Sequence, residues 1–145
     1  MSRSYVLNRV PIKRRERFTK GGTVYANPKT VADEKAVWAA YKGPRFDADV
    51  PLAVRIDVYR ALPKDTPRRI DSEPDTLKPD VDNIAKAVLD GLQDKKDKHG
   101  NVLELRAFPD DKQVVALTVV KHDRIRKQGD SIRFTVEEAR EYDRR

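Results

Sequence analysis

The sequence predicts a single α+β domain in which two main helices pack on a mixed β-sheet of about four to five strands. Two kinds of pattern carry that expectation. Leu52 to Tyr59 and Ile132 to Glu137 alternate between apolar and polar residues, the period of a strand with one buried face. Pro28 to Lys42 and the run opened by Asn83 and closing near Gly91 instead repeat their apolar residues at helical spacing. A chain of 145 residues is long enough to enclose one core, so residues 1–145 are read as one unit.

In chain order, Tyr5 to Val10 reads as a weak strand. It leads into a basic segment, residues 9–22, where Lys13, Arg15 and Arg17 alternate and would share one side of an extended chain. Lys13, Arg14, Arg15, Arg17 and Lys20 are the candidate DNA-binding residues, because guanidinium and ammonium groups suit phosphate oxygens. Phe18 has two readings, packing into the core or stacking on an unpaired base. Gly21-Gly22 reads as a turn. Asn27-Pro28 supplies a helix cap, Thr30-x-x-Asp33 resembles a capping box with Asp in place of Glu, and Gly43-Pro44 stops the helix. Ala36, Val37, Ala40 and Tyr41 are expected inward, and Trp38 in the core or an interface. In the strand Leu52 to Tyr59, Leu52, Val54, Ile56 and Val58 take one face. A long polar loop, Leu62 to Pro79, follows.

The loop runs into an acidic motif, residues 78–92, KPDVDNIAKAVLDGL. On a helical wheel Ile84, Ala85, Ala87, Val88, Leu89 and Leu92 oppose a charged face bearing Asp82, Lys86 and Asp90 at i, i+4 and i+8. Asp82 or Asn83 suits the cap. A surface ladder of i, i+4 pairs accounts for that face, but it leaves Asp80 unexplained. Lys95 to Gly100 reads as a solvated turn, and Val102, Leu103 and Leu105 as a short strand or hairpin arm. A second acidic motif, residues 110–113, places Asp110-Asp111 before Val114 to Val120, an apolar run expected to be a buried strand. The strand around Phe134 is expected at the sheet edge, and the tail EEAREYDRR to fray. His99 and His122 share no ligand spacing and are read as incidental.

Composition narrows the function classes. The net charge is +7, and the first twenty residues hold six of those charges, with Glu16 as their only acid. So local a basicity marks a polyanion binder, although a solvated charge run looks the same. With no cysteine, disulfides and thiolate zinc sites are excluded. No apolar run has membrane-spanning length and no signal-peptide core is present, so no membrane association and a cytoplasmic location are expected. A calcium loop fails because Ile84 would occupy a ligand position. A nucleotide-binding D-x-D lacks its glycine-rich lead-in. Carboxylates brought together repel unless a cation neutralises them, and hard oxygen donors suit Mg²⁺, with Mn²⁺ as a substitute. Relief of that repulsion makes both Asp82→Asn and Asp111→Asn expected to stabilise the metal-free chain.

The order K-P-D-x-D-N-x-x-K-x-x-x-D-x-L, followed by D-D-x-Q-V before a strand ending in Lys121, resembles the RusA family of Holliday junction resolvases. The match at its core covers about a third of the chain. The segment Pro11, Lys13, Arg15, Arg17 resembles one found in part of that family. The resemblance implies a RusA-like fold and a homodimeric, Mg²⁺-dependent endonuclease acting on four-way junctions and branched DNA, with no small-molecule cofactor. Carried over by position, Asp80, Asp82 and Asp111 are the implied metal ligands and Lys86 the implied catalytic lysine, with Asp110 and Asp90 as weaker candidates. A role in recombination, repair or phage DNA processing, in a bacterial or phage-infected cell, is the family-level expectation. The connector between Asp90 and Asp110 is longer and more charged than the family pattern. Two other classes stay open on the residues alone: a DNA-binding module without catalysis, and a metal-dependent nucleotidyl or phosphoryl transferase.

Overall fold

The structure is a computed structural model describing residues 3–140. Its elements run β1 (Ser4–Leu7), β2 (Arg17–Phe18), β3 (Val24–Tyr25), α1 (Pro28–Ala40), β4 (Leu52–Tyr59), β5 (Ser72–Glu73), α2 (Val81–Leu92), β6 (Lys95–Lys96), β7 (Val102–Glu104), a 3-10 turn (Asp111–Gln113), β8 (Val114–Lys121), β9 (Arg124–Ile125) and β10 (Ser131–Glu138). The main sheet has the order β1-β10-β4-β8. Its pairs are antiparallel except β4 with β8, which run parallel. The α+β class therefore holds, with a mixed four-stranded sheet and two helices.

The core lies between one face of the sheet and the helices. Alternate residues of a strand point the same way, so Val54, Ile56 and Val58 of β4 sit opposite Val136, Phe134 and Ile132 of β10 and all six are buried. Ile84, Ala85, Val88 and Leu92 of α2, with Val37 and Tyr41 from α1 and its cap, close the same cluster. Each fully buried Leu, Ile, Val or Phe contributes roughly 1.5–3 kcal/mol. Trp38 packs partly buried against this cluster and stacks on Tyr41, with centroids 6.0 Å apart. The helices can meet closely because Gly91 has no side chain: a Cβ there would lie 2.8 Å from Val37 Cβ and 2.9 Å from the Glu34 carbonyl.

The parallel pairing of β4 with β8 positions the site. The chain must return from one end of the sheet to the other between them, and α2 makes that crossing, antiparallel to both strands. The start of α2 is consequently near the end of β8, where Lys121 Nζ donates to the Leu77 and Pro79 carbonyls. Its end is near the start of β8, where the Asp111 N–H donates to Gln93 Oε1.

Several expectations need correction. Among the described residues the Val114 to Val120 run is an edge strand, paired on one side only, with Val115 and Leu117 about half exposed. Conversely, β10 is an interior strand between β1 and β4. It continues to Glu138, and Ala139 is buried with its N–H donating to the Pro51 carbonyl, so the tail is ordered to that point. The rest of the tail, residues 141–145, lies outside the described residues. Strand β1 stops at Leu7 instead of reaching Val10. Helix α1 is capped by Asn27 as expected, but Thr30 and Asp33 are buried and bind the N-terminal segment, so they form no capping box. Helix α2 starts at Val81 and ends at Leu92, capped by Asp80 instead of Asp82 or Asn83. Phe18 does not pack inward and is 69% exposed. His122, with no ligand spacing in the sequence, bonds Asp57 Oδ1 at 2.7 Å and stacks flat on Tyr59, contacts that leave its reading unchanged. No described helix is long and apolar enough to cross a membrane.

Candidate active site

Helix α2 carries the first acidic group. Asp80 Oδ1 accepts from the Asn83 N–H at 2.9 Å, which accounts for Asp80 as a cap, and Asp82 lies exposed in the first turn. The Asn83 side chain does something else. Its Oδ1 accepts from the Lys13 N–H and its Nδ2 donates to the Lys13 carbonyl, both at 2.8 Å. This two-point clamp fastens the basic segment onto the acidic helix.

Two of the five candidate DNA-binding residues are engaged inside the protein. Lys13 Nζ contacts Asp90 at 2.9 Å and Glu34 at 3.5 Å. Burial disfavours the charged ammonium, yet these acids outweigh it and hold the Lys13 pKa above its ordinary value. Glu34 in the same cluster is pushed up, chiefly by burial. Arg14 Nη1 donates to Asp33 Oδ2 at 2.8 Å, and Asp33 also accepts from the Ile12 N–H and from Arg9. Arg15, Arg17 and Lys20 are exposed beside Phe18.

The second acidic group gathers past the end of α2. Asp110 caps the 3-10 turn, accepting from the Lys112 N–H at 2.9 Å, and Gln113 anchors that turn by donating to the Asp47 and Val50 carbonyls. Gln93 bridges the motifs: its Oε1 accepts from the Asp111 N–H and its Nε2 donates to Asp90 Oδ1. The Asp111 pKa is raised, first by burial and then by Asp110 and Asp90, with Lys86 partly offsetting them. The helical wheel puts Gln93 on the polar face of the motif helix, but its part in the site was missed because a lone Gln at a helix end has no distinguishing pattern.

The structure thus brings Asp111 together with Asp110, Asp90 and Lys86. Asp80 and Asp82 sit at the other end of α2, and the eight residues from Asp82 to Asp90 are about 12 Å of helical rise. Lys86 stands between the groups, one turn from each. Among the described residues, no three His, Cys, Asp or Glu side chains are gathered so as to hold a metal ion. The donors nevertheless fit a hard divalent cation in kind, being all carboxylate, and the negative charge of Asp110 and Asp90, which adds to burial in raising the Asp111 pKa, is what a cation would relieve.

The long connector is rooted firmly beside this site. Asp94 accepts both Arg45 guanidinium nitrogens, at 2.6 and 2.9 Å, and the Arg106 N–H at 2.7 Å. The Arg45 bonds hold its carboxyl below the usual range. The buried Arg106 side chain donates to Glu104 and to the Asp90 and Gly91 carbonyls, tying the hairpin of β6 and β7 to the end of α2.

No curated protein matches the chain. A family model described as endodeoxyribonuclease RusA matches residues 9–137, a span that takes in the basic segment, both helices, both acidic motifs and three of the four main-sheet strands to within a residue. A match over so much of the chain, on a sheet and helices that set the same acidic motifs around Lys86, means that the protein belongs to the RusA family of endodeoxyribonucleases, the Holliday junction resolvases.

Proposed function

We propose that this chain is a Mg²⁺-dependent, structure-specific endonuclease that resolves Holliday junctions and related branched DNA by paired, symmetric phosphodiester hydrolysis. Family membership supplies DNA cleavage. The observation that carries the reading to this site is the Asn83 clamp, which fixes the basic segment beside the acidic helix. An acidic site repels DNA, and cations fastened next to it supply the phosphate contacts that hold the strand there. Arg15, Arg17 and Lys20 are the residues in position to do so, with exposed Phe18 able to stack on an unpaired base.

Asp80 and Asp82 at the start of α2 and Asp111 beyond its end are the residues that would hold one or two cations, Mn²⁺ substituting for Mg²⁺, whose contribution when bound is to activate water and neutralise phosphodiester charge. Lys86, between the two acidic groups, is placed to offset charge developing on the phosphate or leaving oxygen. A homodimer would set two such sites on opposing strands, and the exposed apolar edge of β8 is a surface suited to pairing with a second copy. The setting we infer is recombination, repair or phage DNA processing in the cytoplasm of a bacterial or phage-infected cell.

The test compares a labelled four-way junction with a matched duplex, in Mg²⁺ or EDTA, for the native chain and Asp82→Asn. Paired symmetric cuts confined to the junction, lost in EDTA and in the variant while binding persists, are expected. Binding with no metal-dependent cutting in the native chain would instead make it a non-catalytic DNA-binding module.

A further inference from the structure

Three successive main-chain carbonyls lead into Asp80, and each is gripped by a cation from the end of a main-sheet strand. Lys121 Nζ, closing β8, donates to the Leu77 carbonyl and, at 2.9 Å, to that of Pro79. Arg60 Nη1, just past β4, donates to the Lys78 carbonyl at 2.8 Å. Arg124 in β9 joins them, its Nε donating to the Ala61 carbonyl at 2.6 Å. All three cations surround one carboxylate, Asp75, each 3.6 Å from its Oδ1. The Asp75 side chain has 0% exposure and neither oxygen accepts a hydrogen bond; Arg124 Nη1 is also buried without a hydrogen-bond partner.

A buried carboxylate lacking hydrogen bonds calls for a reason. Here the cations direct their short hydrogen bonds to carbonyls, and three such groups side by side repel unless a counter-charge lies among them. Asp75 is that counter-charge. Its role is to let Arg60 and Lys121 stay together beneath the loop, and their role is to hold the loop.

We propose that Lys121 and Arg60, with Asp75 between them, are positioning residues for Asp80. They act through the main chain of Leu77, Lys78 and Pro79, transmitting the fixed geometry of β4 and β8 to the entry of α2. This rests on the reading of Asp80 as an active-site residue. The local consequence needs no DNA: the Asn83 and Ile84 N–H groups donate to Asp80 Oδ1 and to the Asp80 carbonyl, so their exchange reports how firmly Asp80 is held.

The experiment uses Lys121→Met, which keeps the stem and removes the ammonium, and Lys121→Arg, which restores a cation, with Arg60→Met as an independent arm should Lys121→Met not fold. In the metal-free protein, each Met variant should speed hydrogen exchange at Asn83 and Ile84 at least tenfold, leave the central amides of β4 and β10 within twofold, and Lys121→Arg should recover most of the protection. In junction cleavage, kcat should fall at least tenfold with junction Kd within twofold. Unchanged exchange at Asn83 and Ile84 overturns the proposal. So does a loss of junction affinity in step with cleavage, which would make Lys121 a DNA contact. If the native chain cuts no junction, the proposed function fails, while the exchange measurement still decides whether these residues position Asp80.

Discussion

Asp111 and Asp82 should respond oppositely to the loss of their charge, because they sit in different surroundings. The folded state raises the Asp111 pKa, chiefly by burial and then through Asp110. It therefore loses stability as pH rises from the ordinary value of 3.8 through the raised one, and the full penalty is present at pH 7. Asp111→Asn should raise the Tm of the metal-free protein at pH 7, with the gain vanishing below about pH 3.8, where the native carboxyl is protonated folded or unfolded. Asp82 instead sits in the first turn of α2, where a negative charge favours the helix by about 0.3–1 kcal/mol. Asp82→Asn should lower stability by up to that amount in urea unfolding, against the expectation drawn from repulsion alone. The basic residues divide in the same way. Arg15→Ala with Arg17→Ala should weaken junction binding and flatten its log-log salt slope by about two units, leaving the Tm within a degree or two. Asp33→Ala, which removes the acceptor shared by Arg9, Arg14 and the Ile12 N–H, should cost about 1–3 kcal/mol of folding stability.

At the scale of elements, the contact between α1 and α2 depends on Gly91. Gly91→Ala would force its methyl against Val37 and the Glu34 carbonyl, and should cost about 1–3 kcal/mol by urea unfolding. Gly129→Ala, with nothing within 4 Å of the added carbon, should change stability by about 0.5 kcal/mol or less. The helix was legible in the sequence because its buried residues, Ile84, Ala85, Ala87, Val88 and Leu92, follow a single period. Strand β8 was not. A run apolar on both faces suits an interior strand, and nothing local in Val114 to Val120 records that, among the described residues, β4 alone pairs with it. The same limit hid the roles of Thr30 and Asp33: their spacing matches a capping box, but their partners, Arg14 and Ile12, are distant in sequence.

For the molecule as a whole, acid should be the weak side. Asp94 is held low by Arg45, and Asp57 is held low because its bonds to Arg55 and His122 outweigh the effect of burial. Carboxyls with depressed folded pKa values stabilise above the ordinary value of 3.8 and lose that contribution as pH falls through the folded value. The urea midpoint should therefore fall steeply below about pH 3.8, and less steeply in Asp94→Asn, whose amide has no such proton to take up. The same mutation loosens the root of the connector, so its stability at pH 7 should already be lower than that of the native chain.

The sequence by itself determined the α+β class, the faces of β4 and α2, the two acidic motifs and the family that their order resembles. These follow from periodicity and from residue types a few positions apart, which local geometry converts directly into faces and caps. Only the tertiary structure decided that α2 runs antiparallel to β8. The acids implied to share metal binding are therefore divided between the two ends of a helix, with Lys86 between them. It also decided that Lys13 and Arg14 pair internally while Arg15 and Arg17 face outward, and that the Asp75 side chain is buried among three cations. The physical reason is the same in each case: strand order and long-range ion pairs depend on which distant segments become neighbours, and no local period carries that information.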